Sequence, residues 1–336
     1  MRSSQHILLG LASLQSAHAW GSLGHQTIAY IAQHYVCNTT AVWAQSILND
    51  TSSSYLASIA TWADSYRYTA EGEFSAAFHY IDAMDDPPTS CDVDYERDCS
   101  DEGCVVSAIA NYTQRVQASD LDALQRNYAL RWIVHFSGDI SQPLHNENYE
   151  IGGNGIDVTF EGDDTNLHAA WDTSIPEELR GGYGLEEAAS WADDLVSDID
   201  SGKYADQSQS WLEGIDVSDP MSTAMMWARD ANSYVCTVVM PNGGESYNNT
   251  ELYPEYYDSA VETVEMQIAK AGYRLGAYLD AIAANQDLSK RDVIQADLSG
   301  KTLLPKRQGL TRAQRARRAK GEKGCGCGHE HGHEDM

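Results

Sequence analysis

Two pairs of the form His-x-x-x-Asp constrain this chain most: His135 with Asp139, and His168 with Asp172. Residues four apart project from one face of an α-helix, so each pair sets an imidazole nitrogen beside a carboxylate. A single such pair reads as well as a helix-surface contact or a satisfied core histidine. Here His145 follows Asp139 across a Gln-Pro break, and Asp64, His79 and His25 lie upstream. Imidazole nitrogen and carboxylate oxygen are normal zinc donors. Donors spread from His25 to Asp172 can meet only if the fold brings distant segments together.

Helical periodicity dominates the rest. From Tyr256 to Ala284 the apolar positions Val261, Val264, Ile268, Leu275, Leu279 and Ile282 fall on one face. Tyr128–Asp139 and Glu186–Asp200 also read as helices. The one strand-like alternation is Ile156–Phe160, after a Gly-Gly-Asn-Gly turn signal. Residues 85–104, with Pro-Pro, many Asp and three cysteines, read as a loop. The expected class is all-α with long irregular connections. No internal repeat is present, and residues 20–289 suit one domain.

The two ends differ in character from this body. Arg2, an apolar run from Ile7 to Leu14 and an Ala17-His18-Ala19 cleavage site make residues 1–19 a secretory signal peptide. The mature chain would begin at Trp20. No segment is long enough to span a bilayer, so a secreted, extracellular protein is expected. Four sequons, at Asn38, Asn49, Asn111 and Asn248, fit glycosylation in that compartment. Residues 290–336 are basic, lack aromatics and end in a Cys/His-rich run; they read as a disordered tail. Lys290-Arg291 and Lys306-Arg307 are candidate processing sites. The body holds Cys37, Cys91, Cys99, Cys104 and Cys236; five cannot all pair with one another, and spacing alone does not say which pair.

Charge limits the partners. The chain has 22 Lys+Arg and 50 Asp+Glu; without Arg2 and the 11 basic and 6 acidic residues from Lys290 onward, the body keeps 10 basic against 44 acidic, a net of −34. Such a surface repels polyanions and lacks the basic footprint of an ordinary nucleic-acid binder. A phosphate-bearing substrate must be attracted locally, and bound metal is the obvious source of positive charge.

Six segments together are highly specific: Trp20-Gly-Ser-Leu-Gly-His25, Thr61-Trp-Ala-Asp64-Ser-Tyr-Arg67, Phe78-His79-Tyr80-Ile-Asp82, His135-Phe-Ser-Gly-Asp139-Ile-Ser-Gln-Pro-Leu-His145, Gly152-Gly153-Asn154 and Asn166-Leu-His168-Ala-Ala-Trp-Asp172. On these, the chain resembles the fungal zinc-dependent single-strand nucleases of the nuclease P-one and nuclease S-one type. More distantly it resembles the zinc-dependent phospholipases C. The resemblance covers nearly all of 20–289 and none of the tail. It implies a single-domain helical fold of the phospholipase C/nuclease kind with a small β-hairpin and long loops. It also implies three Zn2+ ions. The first would take Asp64, His79, His135 and Asp139. The second would take His145, His168 and Asp172. The third would take His25, Asp139 and the free amine and carbonyl of Trp20, so Asp139 would bridge the first and third. It further implies disulfides Cys91–Cys236 and Cys99–Cys104. Cys37 is then left over, as a buried thiol or a partner for Cys325 or Cys327 in the tail.

The implied activity is endonucleolytic hydrolysis of single-stranded DNA and RNA to 5′-phosphorylated products, with 3′-nucleotidase activity on 3′-nucleotides, by a monomer acting away from membranes. Zinc lowers the pKa of bound water and so supplies a nucleophile at mild pH. Asp64 would orient it, and Arg67, one helical turn on, would neutralise charge growing on the phosphate. Tyr80 would stack on a base, Asp82 would bond its edge, and Ile151 and Asn154 would line the same pocket. Stacking is sequence-tolerant but needs an unstacked base, which gives single-strand preference. The plain alternative for Tyr80 and Ile151 is core packing. Two other functions remain open: a phospholipase C on the same scaffold, disfavoured by Asp172 where the lipase pattern prefers Glu, and an inactive secreted zinc-binding protein, disfavoured by intact Asp64 and Arg67.

Overall fold

The computed structural model describes residues 20–285. The signal peptide, the tail with Cys325 and Cys327, both dibasic pairs and the boundary expected at Ser289 lie outside these residues.

Helices make up most of the described chain: α1 Ser22–Tyr35, α2 Asn38–Leu48, α3 Trp62–Tyr66, α4 Tyr95–Asp98, α5 Val105–Gln117, α6 Ala123–Asp139, α7 Leu167–Ala169, α8 Ile175–Arg180, α9 Leu185–Ser201, α10 Pro220–Tyr234 and α11 Glu255–Ala284. The sequence places α9 and α11 to within a residue at either end. It starts α6 five residues late. Asp122 is the reason, since its carboxylate accepts the Gln125 N–H at 2.8 Å and caps a first turn that has no apolar face of its own.

The core is built on α11. Val264, Ile268, Leu275, Leu279 and Ile282 are all buried, and α11 packs along α1, which in turn packs on α9. Gly272 lets the α1 and α11 backbones close, because a Cβ there would sit 2.5 Å from the Cβ of Ile31. Against the other side of α11, Arg274 and Lys270 reach Asp230 of α10 at 2.7 and 3.0 Å. The helices α5 and α6 form a second packed pair. Between them Tyr112, Trp132 and Phe136 make a stacked aromatic series.

The only sheet among the described residues has three strands in the order β2-β1-β3, with β1 Asp157–Phe160, β2 Asp163–Asn166 and β3 Thr250–Glu251. Strands β1 and β2 form the expected hairpin, with Phe160 opposite Asp163. Glu161 and Gly162 both take positive φ, 52° and 84°, as a tight two-residue turn requires. The side chain of Glu251 ties that turn down by accepting the N–H groups of both residues. The hairpin matters to the site because its last residue, Asn166, caps α7 by accepting the Ala169 N–H at 2.8 Å, and α7 carries His168.

Cys91–Cys236 and Cys99–Cys104 are disulfides among the described residues. The loop read at 85–104 contains the short helix α4 and two isolated bridges. Cys37 is buried at the start of α2, its Sγ 3.1 Å from a carboxylate oxygen of Asp280.

Candidate metal centre

The structure gathers eight of the expected side chains into three buried groups: His25, His135 and Asp139; Asp64, His79 and His135; and His145, His168 and Asp172. Helix α6 is the spine of the first two. His135 and Asp139 share its inner face, Nε2 to Oδ1 3.2 Å. His25, on the first turn of α1, brings Nε2 to 3.1 Å from Asp139 Oδ1 and stacks on His135 with ring centres 4.1 Å apart. Gly138 permits this approach, since a Cβ there would lie 2.6 Å from His25 Nδ1. His79 reaches the other oxygen of Asp139 at 2.9 Å. Asp64, on α3, stands 3.5 Å from His135 Nε2. Asp139 therefore faces His25 with one oxygen and His79 with the other.

The second assembly sits at the turn after α6. His168 Nε2 is 3.2 Å from Asp172 Oδ2 and 3.1 Å from His145 Nε2. The stretch from Ala170 to Ser174 is a π-helical turn, a wider coil that carries Asp172.

The tautomers follow from the outer shell. His135 Nδ1 donates to the Ala60 carbonyl at 2.7 Å, His145 Nδ1 to His79 O at 2.7 Å and His168 Nδ1 to Gly152 O at 2.6 Å. A carbonyl only accepts, so each Nδ1 carries a proton, and in the neutral imidazole that a metal binds each Nε2 turns its lone pair inward. Both oxygens of Asp139, Asp172 Oδ2 and both ring nitrogens of His25 are buried without hydrogen-bond geometry, although neighbouring donor atoms are close. Atoms so arranged aim at a shared point rather than at one another. Zinc bonds of about 2.0–2.1 Å in a tetrahedron separate ligand atoms by roughly 3.3 Å. The donor separations here, 2.9–3.5 Å among the contacts just given, suit that spacing. A fourth group, Asp85, Cys91 and Glu147, does not fit, because Cys91 is spent in a disulfide.

Burial and charge compete at these donors. Burial alone would raise the Asp139 carboxyl, but the histidines around it hold it well below the usual range. Burial lowers His135, yet Asp139 and Asp64 outweigh that and bring it up to about 9. Burial, aided by the neighbouring His168, takes His145 down to about 4.

Trp20 is fully buried. Its indole Nε1 donates to Ser141 Oγ at 2.8 Å, and the next N–H, of Gly21, donates to the Asp172 carbonyl at 2.7 Å. The start of the described chain is thereby fixed between the two assemblies.

Arg67 ends α3. Its Nη2 donates to the Tyr68 hydroxyl at 2.9 Å, with the guanidinium 5.0 Å from that ring centre. Its charge is felt both at His168 and at Tyr80. Tyr80 is 39% exposed and Ile151 77% exposed, which removes core packing as their explanation. Asp82 is half-buried, and burial together with Asp98 pushes its carboxyl up. The Ile81 N–H donates to His145 O at 2.9 Å and the Asn148 N–H to Ala83 O at 3.2 Å, so the segment bearing Tyr80 and Asp82 is laced to the one leading to Ile151 and Asn154. Asn154 Nδ2 donates to Ile151 O at 2.9 Å. Residues 150–153 all take positive φ, 47° to 79°. That is strained for a β-branched residue such as Ile151 and easy for Gly152 and Gly153.

Sequence reasoning assigned nothing to Gln142, Ser141, Asn166 or Tyr68. Each lies inside or beside a quoted motif, which is the only signal that pointed to them. The carbonyls of Ala60, His79 and Gly152 carry no residue-type signal.

Comparison with known proteins decides the family. The model of the S1/P1 nuclease family matches residues 20–284. The chain belongs to the S1/P1 nuclease family. It is 55% identical to nuclease P1 of Penicillium citrinum over 267 residues, 80% of this chain and 99% of that protein. The same figures hold for nuclease PA3 of a Penicillium species. It is 54% identical to nuclease S1 of Aspergillus oryzae over 274 residues, 82% of this chain and 95% of the relative. The enzyme is thus a nuclease, and the phospholipase and inactive-protein alternatives are not favoured. No helix among the described residues is long and apolar enough to cross a membrane.

Proposed function

We propose that this nuclease is a secreted, monomeric, trinuclear-zinc endonuclease of single-stranded DNA and RNA, releasing 5′-phosphorylated products and also acting on 3′-nucleotides. The observation that carries it is the inward-facing set of lone pairs: eight buried His and Asp side chains in three groups, with three histidines oriented by carbonyls on their outer nitrogens. Asp64, His79, His135 and Asp139 would hold one ion, His145, His168 and Asp172 a second, and His25, Asp139 and the Trp20 amine and carbonyl a third. Zinc so held supplies Lewis acidity and a water nucleophile at mild pH. Asp64 orients that water. Arg67 sits at the rim, where its charge meets phosphate oxygens as they become more negative. Tyr80 offers a ring face, Asp82 a carboxyl for a base edge, and Ile151 and Asn154 the opposite wall. Base stacking on Tyr80 requires a base released from a duplex.

Residues 1–19 would act as the signal peptide, 20–289 as the catalytic domain and 290–336 as a tail outside it. A chain ending at Ser289 should carry three zinc ions by native mass spectrometry and degrade single-stranded DNA, leaving phosphatidylcholine intact. One ion or none, or release of phosphocholine instead, defeats the proposal.

A further inference from the structure

Trp132, whose ring meets the edge of His79, also lines a cavity of about 460 Å3. Tyr66, Phe74, Tyr128 and Trp132 give it aromatic walls, Arg115 and Gln125 a polar one, and Asn111 also lines it. Arg115 Nη2 donates to Gln125 Oε1 at 2.6 Å, so the polar wall is a fixed pair. Phe74 is 54% exposed, a large apolar face left to solvent. The volume lies within the range of small-molecule sites. Aromatic faces beside fixed amide and guanidinium groups suit a ligand with apolar C–H faces and a rim of hydroxyls, which describes a sugar. Glu71 also lines the cavity, in a body of net charge −34, so a neutral occupant is favoured over a phosphate-bearing one.

Asn111 begins the sequon Asn111-Tyr112-Thr113, and its side chain is exposed. The other sequon asparagines, Asn38, Asn49 and Asn248, are exposed as well but do not line this cavity. Thr113 is buried, its hydroxyl 2.8 Å from that of Tyr278. The sequon is therefore legible to a modifying enzyme only before α5 docks on the core.

We propose that this cavity is the built-in seat of the first sugar of an N-linked glycan on Asn111. The inference rests on the secretory reading above. In the modification, a bond forms between Asn111 Nδ2 and C1 of the sugar. The C1–O bond to a lipid diphosphate donor breaks, the diphosphate takes the electron pair and the amide gives up one proton. Attachment places the sugar beside the aromatic walls at high effective concentration, so weak stacking contacts suffice to dock it. The docked ring covers Phe74 and closes the groove between α5, α6 and residues 66–78.

The experiment uses the full chain secreted from a fungal host, as wild type, Asn111→Gln, Phe74→Ala and the double variant. Glycopeptide mass spectrometry should find sugar on Asn111. Asn111→Gln should lower Tm by about 2–4 °C, as loss of one moderate contact does in a domain of this size. Trimming to a single sugar should leave Tm unchanged. Phe74→Ala should lower Tm in the glycosylated protein and have little effect in the Asn111→Gln background. Equal Phe74→Ala shifts in both backgrounds overturn the seat, as does a bare Asn111 beside occupied Asn38, Asn49 or Asn248. Sugar on no sequon overturns the secretory reading and this inference together.

Discussion

Gln142 Nε2 donates to Asp172 Oδ1 at 2.7 Å, with both side chains buried, while the Gln142 Oε1 accepts the Leu144 N–H. The amide spends one oxygen of Asp172 on the protein and leaves Oδ2 facing His168. Gln142 thus holds the orientation in which this carboxylate would meet a metal. Outer-shell partners of this kind are worth 10- to 100-fold in metal affinity. Gln142→Leu should weaken zinc at the His145, His168 and Asp172 group by about that factor, measured by chelator competition, with the helical circular dichroism signal retained. Unchanged affinity would show that Asp172 needs no help.

The Arg67 guanidinium donates to the Tyr68 hydroxyl and lies 5.0 Å from that ring centre, and arginine is not a zinc ligand. Arg67→Ala should keep full zinc content and lose on the order of 100- to 1000-fold in kcat on single-stranded DNA. An ordinary surface arginine would matter little. A zinc-replete variant with wild-type kcat removes Arg67 from the reaction.

Tyr80 presents its ring at the surface beside Arg67 and Asp82. Tyr80→Ala should weaken nucleotide binding by about 1–3 kcal/mol, the worth of one base–aromatic stack. The KM for a dinucleotide should rise while zinc content stays constant. A KM that does not move would leave the exposed ring without a ligand.

Away from the site, Asp230 faces Lys270 and Arg274 of α11. Burial works against its charge, but Arg274 and then Lys270 overcome this and hold its carboxyl below the ordinary 3.8. A depressed carboxyl gives stability that is whole above its unfolded value and lost as pH falls through the folded one. Asp230→Asn should therefore lower Tm at pH 6 or 7, and the gap from wild type should narrow as pH falls below about 4. Because removing the acid strands two buried cations, a loss of about 3–5 kcal/mol is expected at neutral pH. A pH-independent gap in thermal melts would assign the effect to packing instead.

What the sequence discloses depends on whether side chains or backbone do the work. Helices α9 and α11 show themselves because long amphipathic faces repeat at a helical period. The opening turn of α6 stays hidden because Ala123–Asn127 has no apolar stripe, only a cap at Asp122. In the site, His135 with Asp139 and His168 with Asp172 are visible because an interval of four on a helix is a spatial statement. That His25 could stack on His135 was not, because it depends on what Gly138 lacks. The carbonyls of Ala60, His79 and Gly152 were invisible, since every residue has one. The left-handed course of residues 150–153 was half visible: Gly152 and Gly153 announce it, whereas Ile151 argues against it and is carried along by its neighbours.

The contact of α1 with α11 through Gly272 joins the first helix of the described chain to the last. His25 rides on α1, so the group of His25, His135 and Asp139 gains the packed wall behind it only once the residues of α11 have been made. Synthesis is vectorial, and α1 emerges long before α11 exists. Ordering the chain this way makes the closing of the His25 group a late event in the birth of the molecule.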